Sequence, residues 1–162
     1  MTATYDLIAS NVLSSSAASV TFSSIPATYR DLVLVVSGAR TSSTGFGIRI
    51  RFNADSGTNY SQVIMRGNGS TSTSNSSTEP YIYFDAWTTG AFGTGQSNAI
   101  FQIMDYSATD KHKTVLQRVN NSALLTSAQA ARWASTSAIN EIYVEGSDWA
   151  SGTSFYLYGI VS

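Results

Sequence analysis

The sequence predicts an all-β protein of about ten strands, a sandwich or barrel, and three observations carry that prediction. Apolar and polar side chains alternate over short runs, as in Gly47-Ile48-Arg49-Ile50-Arg51-Phe52, where neighbours must face opposite ways. Gly, Ser, Asn or Pro bounds each run, and no helical apolar stripe persists anywhere. With 162 residues the chain suits one domain over 1–162, because two separate cores would each be small and marginal.

Taken in order, Tyr5 to Leu13 and Ser19 to Phe22 open the series of strands. Within Asp31 to Ala39, the run Leu32 to Val36 is apolar on both faces, which fits a strand covered once by the core and once by a subunit contact. In Gly47 to Phe52 the inward set is Ile48, Ile50 and Phe52, while Arg49 and Arg51 face outward and are expected to pair with acids on a neighbouring strand. Asn53 to Asn59 is rich in oxygen but lacks the closing Glu of a twelve-residue calcium loop, so it reads as a turn built on Asp55, Ser56 and Gly57.

Gln62 to Gly67 is a strand, and the low-complexity stretch Gly67 to Thr78, with nothing to bury, is expected to be an exposed loop. In Tyr81 to Trp87, Ile82, Phe84 and Ala86 point inward, leaving Tyr81, Tyr83, Asp85 and Trp87 on the other face. A second loop covers Gly90 to Gly95, followed by strands at Asn98 to Met104 and His112 to Val119. Ala123 to Trp133 has helix formers, but Thr126 and Ser127 interrupt it, and a strand ending at Trp133 is expected over a short helical turn. Ile139 to Glu145 and Ser154 to Val161 close the fold, the latter again apolar on both faces.

Charged residues make up 12% of the chain, against about 25% in an average globular protein, and Ser, Thr, Asn and Gly fill the polar positions. Desolvating hydroxyls and amides costs far less than desolvating ions, so such a surface favours assembly. The net charge is -1 and no basic block gathers, which argues against a nucleic-acid partner. There is no cysteine and only one histidine, so neither disulfides nor a transition-metal site is expected, and no cofactor is implied. The first residues lack the basic start and apolar run of a secretion signal, and no stretch approaches the roughly 20 apolar residues of a membrane span, so no membrane insertion is expected.

Nucleophilic catalysis would have to pass through His112, which lies in the charged turn Asp110 to Lys113 and reads as a surface residue. The acids are scattered, without the facing pair that glycoside cleavage needs. Asp85, Asp105 and Asp148 do sit beside Trp87, Tyr106 and Trp149, a pairing that sugar recognition employs, and Asp85, Trp87, Asp148 and Trp149 are therefore the candidate sugar contacts. The glycine pairs Gly45/Gly47 and Gly67/Gly69 open no helix and give no phosphate loop. Aromatic rings left outside the core, namely Tyr81, Tyr83, Trp87, Tyr156 and Tyr158, are the candidate interface anchors.

Several ordered phrases run almost the length of the chain: Ala18 to Pro26, Tyr29 to Leu34, Arg51 to Tyr60, Ile103 to Tyr106, Lys113, Trp133, Ile139 to Val144 and Phe155 to Ile160. Together they resemble a group of tailed-bacteriophage virion proteins with jelly-roll-like modules, of the head decoration or tail fibre type. The resemblance implies a single antiparallel β-sandwich, jelly-roll-like, and an exterior virion component, often trimeric, with no catalytic residue to carry over. It also implies partners among other capsid or tail proteins, assembly after synthesis in the host cytoplasm, and, as the alternative, attachment to a host surface glycan. No coiled-coil stem or collagen-like repeat accompanies the module, which suits a decoration protein or short tail tip better than a long shaft.

Overall fold

In the computed structural model, residues 4–42, 47–84, 95–121 and 125–161 are described. They form twelve strands and no helix: β1 (Tyr5–Val12), β2 (Ala17–Phe22), β3 (Asp31–Gly38), β4 (Ile48–Phe52), β5 (Tyr60–Gly67), β6 (Ser72–Glu79), β7 (Ile82–Phe84), β8 (Ser97–Met104), β9 (Lys113–Asn121), β10 (Leu125–Trp133), β11 (Ile142–Trp149) and β12 (Ser154–Ile160). The strands make two antiparallel sheets, one of eight in the order β1-β12-β3-β8-β9-β10-β5-β6 and one of four in the order β2-β11-β4-β7.

Alternation decides which side chains lie between the sheets. From the larger sheet Leu32, Leu34, Phe101, Ile103, Phe155 and Leu157 are buried, and from the smaller sheet Ile48, Ile50, Phe52, Ile142 and Val144 meet them in one apolar cluster. At one end Phe52, Tyr60 and Trp133 pack together, with the Tyr60 and Trp133 rings stacked 6.3 Å apart. The turn after β4 holds two left-handed residues, Asn53 (φ 52°) and Ala54 (φ 57°), a conformation costing about 1–2 kcal/mol per residue. The Asn53 side chain offsets this by bridging to the approach of β11: its Oδ1 accepts from the amides of Asn140 (2.9 Å) and Glu141 (3.1 Å), and its Nδ2 donates to the Ala138 carbonyl (2.7 Å).

The interior is not uniformly apolar. Gln117 donates to Gln129 (2.8 Å), Gln129 donates to Gln62, and Gln62 donates to Ser77 (3.0 Å) while accepting from the Tyr83 amide (2.9 Å). This amide ladder crosses β9, β10, β5 and β6 and ties the larger sheet to β7 of the smaller one. Lys113 is fully buried at the start of β9, where its ammonium donates to the carbonyls of Lys111 (2.9 Å) and Thr136 (3.3 Å). Burial pushes its pKa below the usual lysine value, against the opposing fields of Asp110 and Asp105.

Two expectations are corrected by the fold. The stretch expected as an exposed loop over Gly67 to Thr78 is a turn followed by the edge strand β6, which pairs with β5 through eight consecutive residues. The turn forms because Asn68 Oδ1 accepts from the amides of Ser70 (3.0 Å) and Thr71 (2.7 Å), reversing the chain so that a polar strand can lie against β5. The second correction concerns Ile139 to Glu145, since the strand there begins at Ile142 and runs on to Trp149. The ambiguous segment before Trp133 is the strand β10.

Candidate functional site

The two outer faces of the sandwich differ, and the candidate site is on the larger sheet. Directly opposed residues on antiparallel strands share a face, so the register gives two rows across the sheet. One runs Leu7, Tyr158, Val33, Gln102, Leu116, Ala130, Val63, Ser76, and the next runs Ser10, Tyr156, Val35, Ile100, Arg118, Ala128, Met65, Ser74. Aliphatic and aromatic side chains dominate both rows, and no other described strand packs over them. Met65 is 61% exposed, Tyr5 and Leu7 55%, and Val63 51%.

Small residues in mid-sheet give this face its relief. Ala128 and Ala130 form the floor of a trough of about 790 Å3, with Val33, Val35, Ile100 and Leu116 beside them, Tyr5 and Tyr158 on one flank and Met65 on the other. Among the described residues of the lining, Arg118 is the one that carries a charge. Tyr158 also stacks on Tyr156, with ring centroids 6.3 Å apart, which continues the aromatic surface beside that flank.

On the smaller sheet the outward charges and rings lie against one another. Glu145 lies between Arg49 (3.9 Å) and Arg51 (3.8 Å), the cross-strand ion pairing the alternation predicts. The Arg49 guanidinium sits over the Tyr81 ring at 4.5 Å, and Arg51 lies 5.5 Å from Tyr81 and 5.9 Å from Tyr143. Tyr81 and Tyr83 are half-buried and tilted against each other at 6.0 Å.

The predicted interface residues are therefore not brought to one place: Tyr81 and Tyr83 flank the smaller sheet, whereas Tyr156 and Tyr158 stand on the outer face of the larger one. Trp87 and Asp85 lie outside the described residues, as do residues 90–94 of the second loop. The sugar-contact pair Asp148 and Trp149 is corrected. Trp149 is fully buried and packs edge-on against Phe155 at 5.3 Å, so its ring offers no face to a sugar. A register shift between Glu145 and Trp149 turns the indole inward, and the bare Gly146 makes room for it: a Cβ there would sit 2.2 Å from the ring. Asp148 is taken by the buried Arg40, which also donates to Ser147 (2.8 Å).

His112 is exposed at the start of β9, and among the described residues no group of three His, Cys, Asp or Glu side chains converges as metal ligands would. Tyr106 is buried and donates its hydroxyl to the Pro26 carbonyl, which makes it a structural anchor beside Asp105. Asp55 anchors the turn before β5. Partial burial opposes its charge, but hydrogen bonds from the Trp133 indole (2.7 Å), Asn59 (3.0 Å) and the Gly57 amide (2.8 Å) outweigh this and hold its pKa below the usual value. Burial pushes the neighbouring Tyr60 phenol up to about 12.

No protein-family model matches this chain, and no curated protein matches it. Among solved structures, a mutant alginate lyase in complex with an alginate tetrasaccharide is similar over 83% of this chain and 70% of its own, with 7% sequence identity and a TM-score of 0.33. A likeness that loose transfers neither strand connectivity nor activity.

Proposed function

We propose that this chain is a non-enzymatic structural protein on the exterior of a bacteriophage virion, a capsid decoration or cement protein or a short tail-tip component. It acts by contact: copies associate, as a trimer in this reading, and attach to other capsid or tail proteins. The observation that carries the contact mechanism is the uncovered apolar face of the larger sheet, with Tyr5, Leu7, Val63, Met65, Ile100 and Leu116 all exposed. Eight strands about 4.8 Å apart, each presenting some seven residues at about 3.3 Å, give a face of roughly 900 Å2. A stable protein complex needs about 800 Å2 per partner, so this face suffices. The virion setting rests on the ordered sequence phrases that resemble phage structural modules, with a jelly-roll-like connection as part of that resemblance.

A second reading, a carbohydrate-binding tail-fibre adhesin that recognises the host surface, draws on the stacked Tyr156 and Tyr158 beside the trough, since flat aromatic walls suit sugar rings. The abundance of aliphatic side chains among the described lining residues, against Arg118, Gln102, Gln117 and Gln129, favours a protein surface over a hydroxylated one. Binding experiments separate the two. The contact reading expects the purified chain to bind protein-stripped phage particles with saturation and to leave a glycan array unlabelled. Saturable glycan binding without particle binding overturns it.

A further inference from the structure

Beyond the apolar face, the molecule has a second feature that asks for a partner: the free edge of β6. Among the described residues the two sheets end in four edge strands, and three carry devices that discourage further pairing. β1 is bulged between Leu7 and Ala9 and carries Asp6, β2 lies along the register shift in β11, and β7 has only three residues. β6 has none of these. Its register with β5 is unbroken over eight residues, it contains no Lys, Arg, Pro or Gly, and its one ionisable residue, Glu79, is the last. Nearly all its side chains are exposed hydroxyls, and among the described residues no strand pairs with its outer line of backbone donors and acceptors.

We propose that β6 is a strand-addition site whose occupant is β6 of a second copy, paired antiparallel about a two-fold axis at Asn75. This rests on the reading that the chain associates with its own copies, and the two-fold pairing is a contact additional to those that close the trimer. A two-fold axis normal to the sheet keeps both outer faces on one side, so outward residues must oppose outward residues. Centring on Asn75 places Ser74 opposite Ser76 and Thr73 opposite Ser77 of the second copy, hydroxyl against hydroxyl, pairs that favour sheet formation. The two Glu79 carboxylates then fall at opposite ends, roughly 26 Å apart at about 3.3 Å per residue, well beyond a screening length of about 8 Å. A parallel pairing in register would instead set Glu79 against Glu79. The joined sheets carry Val63 and Met65 of both copies on one side, which extends the apolar face across the junction.

The test uses charge swaps at the exposed outward positions of the full chain. Ser74→Lys/Ser76→Lys opposes cations in the proposed register, and Ser74→Glu/Ser76→Glu opposes anions. Sedimentation velocity at low salt is expected to show that each double variant alone loses an association step present in the parent chain, with at least a tenfold rise in Kd, and that an equimolar mixture regains it. Circular dichroism melts verify that both variants fold. Hydrogen exchange should slow at Thr73 to Thr78 as parent concentration rises. If both double variants associate like the parent, or the mixture associates no better than either alone, the strand-addition site is overturned. Loss of association in Leu116→Asp beside intact association in both double variants overturns it while leaving the contact reading standing. A parent chain that stays monomeric at every concentration overturns both.

Discussion

The two outer faces of this sandwich are built by the same alternation and end up with opposite characters. On the smaller sheet Arg49, Arg51 and Glu145 neutralise one another and lie against Tyr81 and Tyr143, so solvent meets a surface whose charges and rings already have partners. On the larger sheet Leu116, Ile100, Val63 and Met65 have no such partners, and Arg118 stands alone among the charges lining the trough. Low overall charge does not make this surface uniformly adhesive. It concentrates the capacity for contact on one side.

The comparison can be broken or sharpened by mutation, and the largest effect is expected inside the sheet that carries the apolar face. Leu34 is fully buried, and Leu34→Ala should destabilise the fold by about 2–5 kcal/mol, read in a denaturant melt. Its outward counterpart on a neighbouring strand behaves differently. Leu116→Asp should change the melt of the single chain by less than about 0.5 kcal/mol, yet raise the Kd of association by two orders of magnitude or more, because a buried unpaired charge weakens an interface by several kcal/mol. Equal loss of fold and assembly would erase the distinction between inner and outer positions.

Intermediate effects come from the ionisable groups. Lys113 has a folded pKa below its unfolded value, so in the window between the two the unfolded chain binds the extra proton and stability rises with pH up to about 10.5. Lys113→Met should flatten that rise in a series of melts at alkaline pH. Asp55 gives the same sign at the acid end: its folded pKa is depressed, so its contribution is present above 3.8 and disappears as pH falls through the folded value. Asp55→Asn should remove that part of the acid dependence. The smallest effect belongs to the ion-paired face, where Glu145→Gln should cost about 0.2–1 kcal/mol and leave association unchanged. Tyr83→Ala, on the same side, should weaken association less than Leu116→Asp does.

Alternation made the interior legible: Ile48, Ile50 and Phe52 are buried as the sequence predicts, and β10 is a strand despite its Ala and Gln content, because it lies between β9 and β5, which fix its backbone. β6 could not be read in this way. A run of Ser, Thr and Asn has no apolar beat, and its strand conformation is imposed by β5 through backbone pairing. Trp149 escaped for another reason: a register shift changes which face a residue takes, and the only local sign was Gly146 three positions earlier. The two-sided apolar runs at β3 and β12 were readable, and the structure adds that they are adjacent strands whose outward Val33, Val35, Tyr156 and Tyr158 belong to one face.

The central claim, that copies of this chain meet through the apolar face of the larger sheet, is tested most directly by sedimentation equilibrium on the parent chain and Leu116→Asp at matched concentrations. The account predicts a defined oligomer for the parent and, for the folded variant, nothing larger than the pair joined through β6. A parent that remains monomeric at high concentration, or a variant that assembles as fully as the parent, would contradict it.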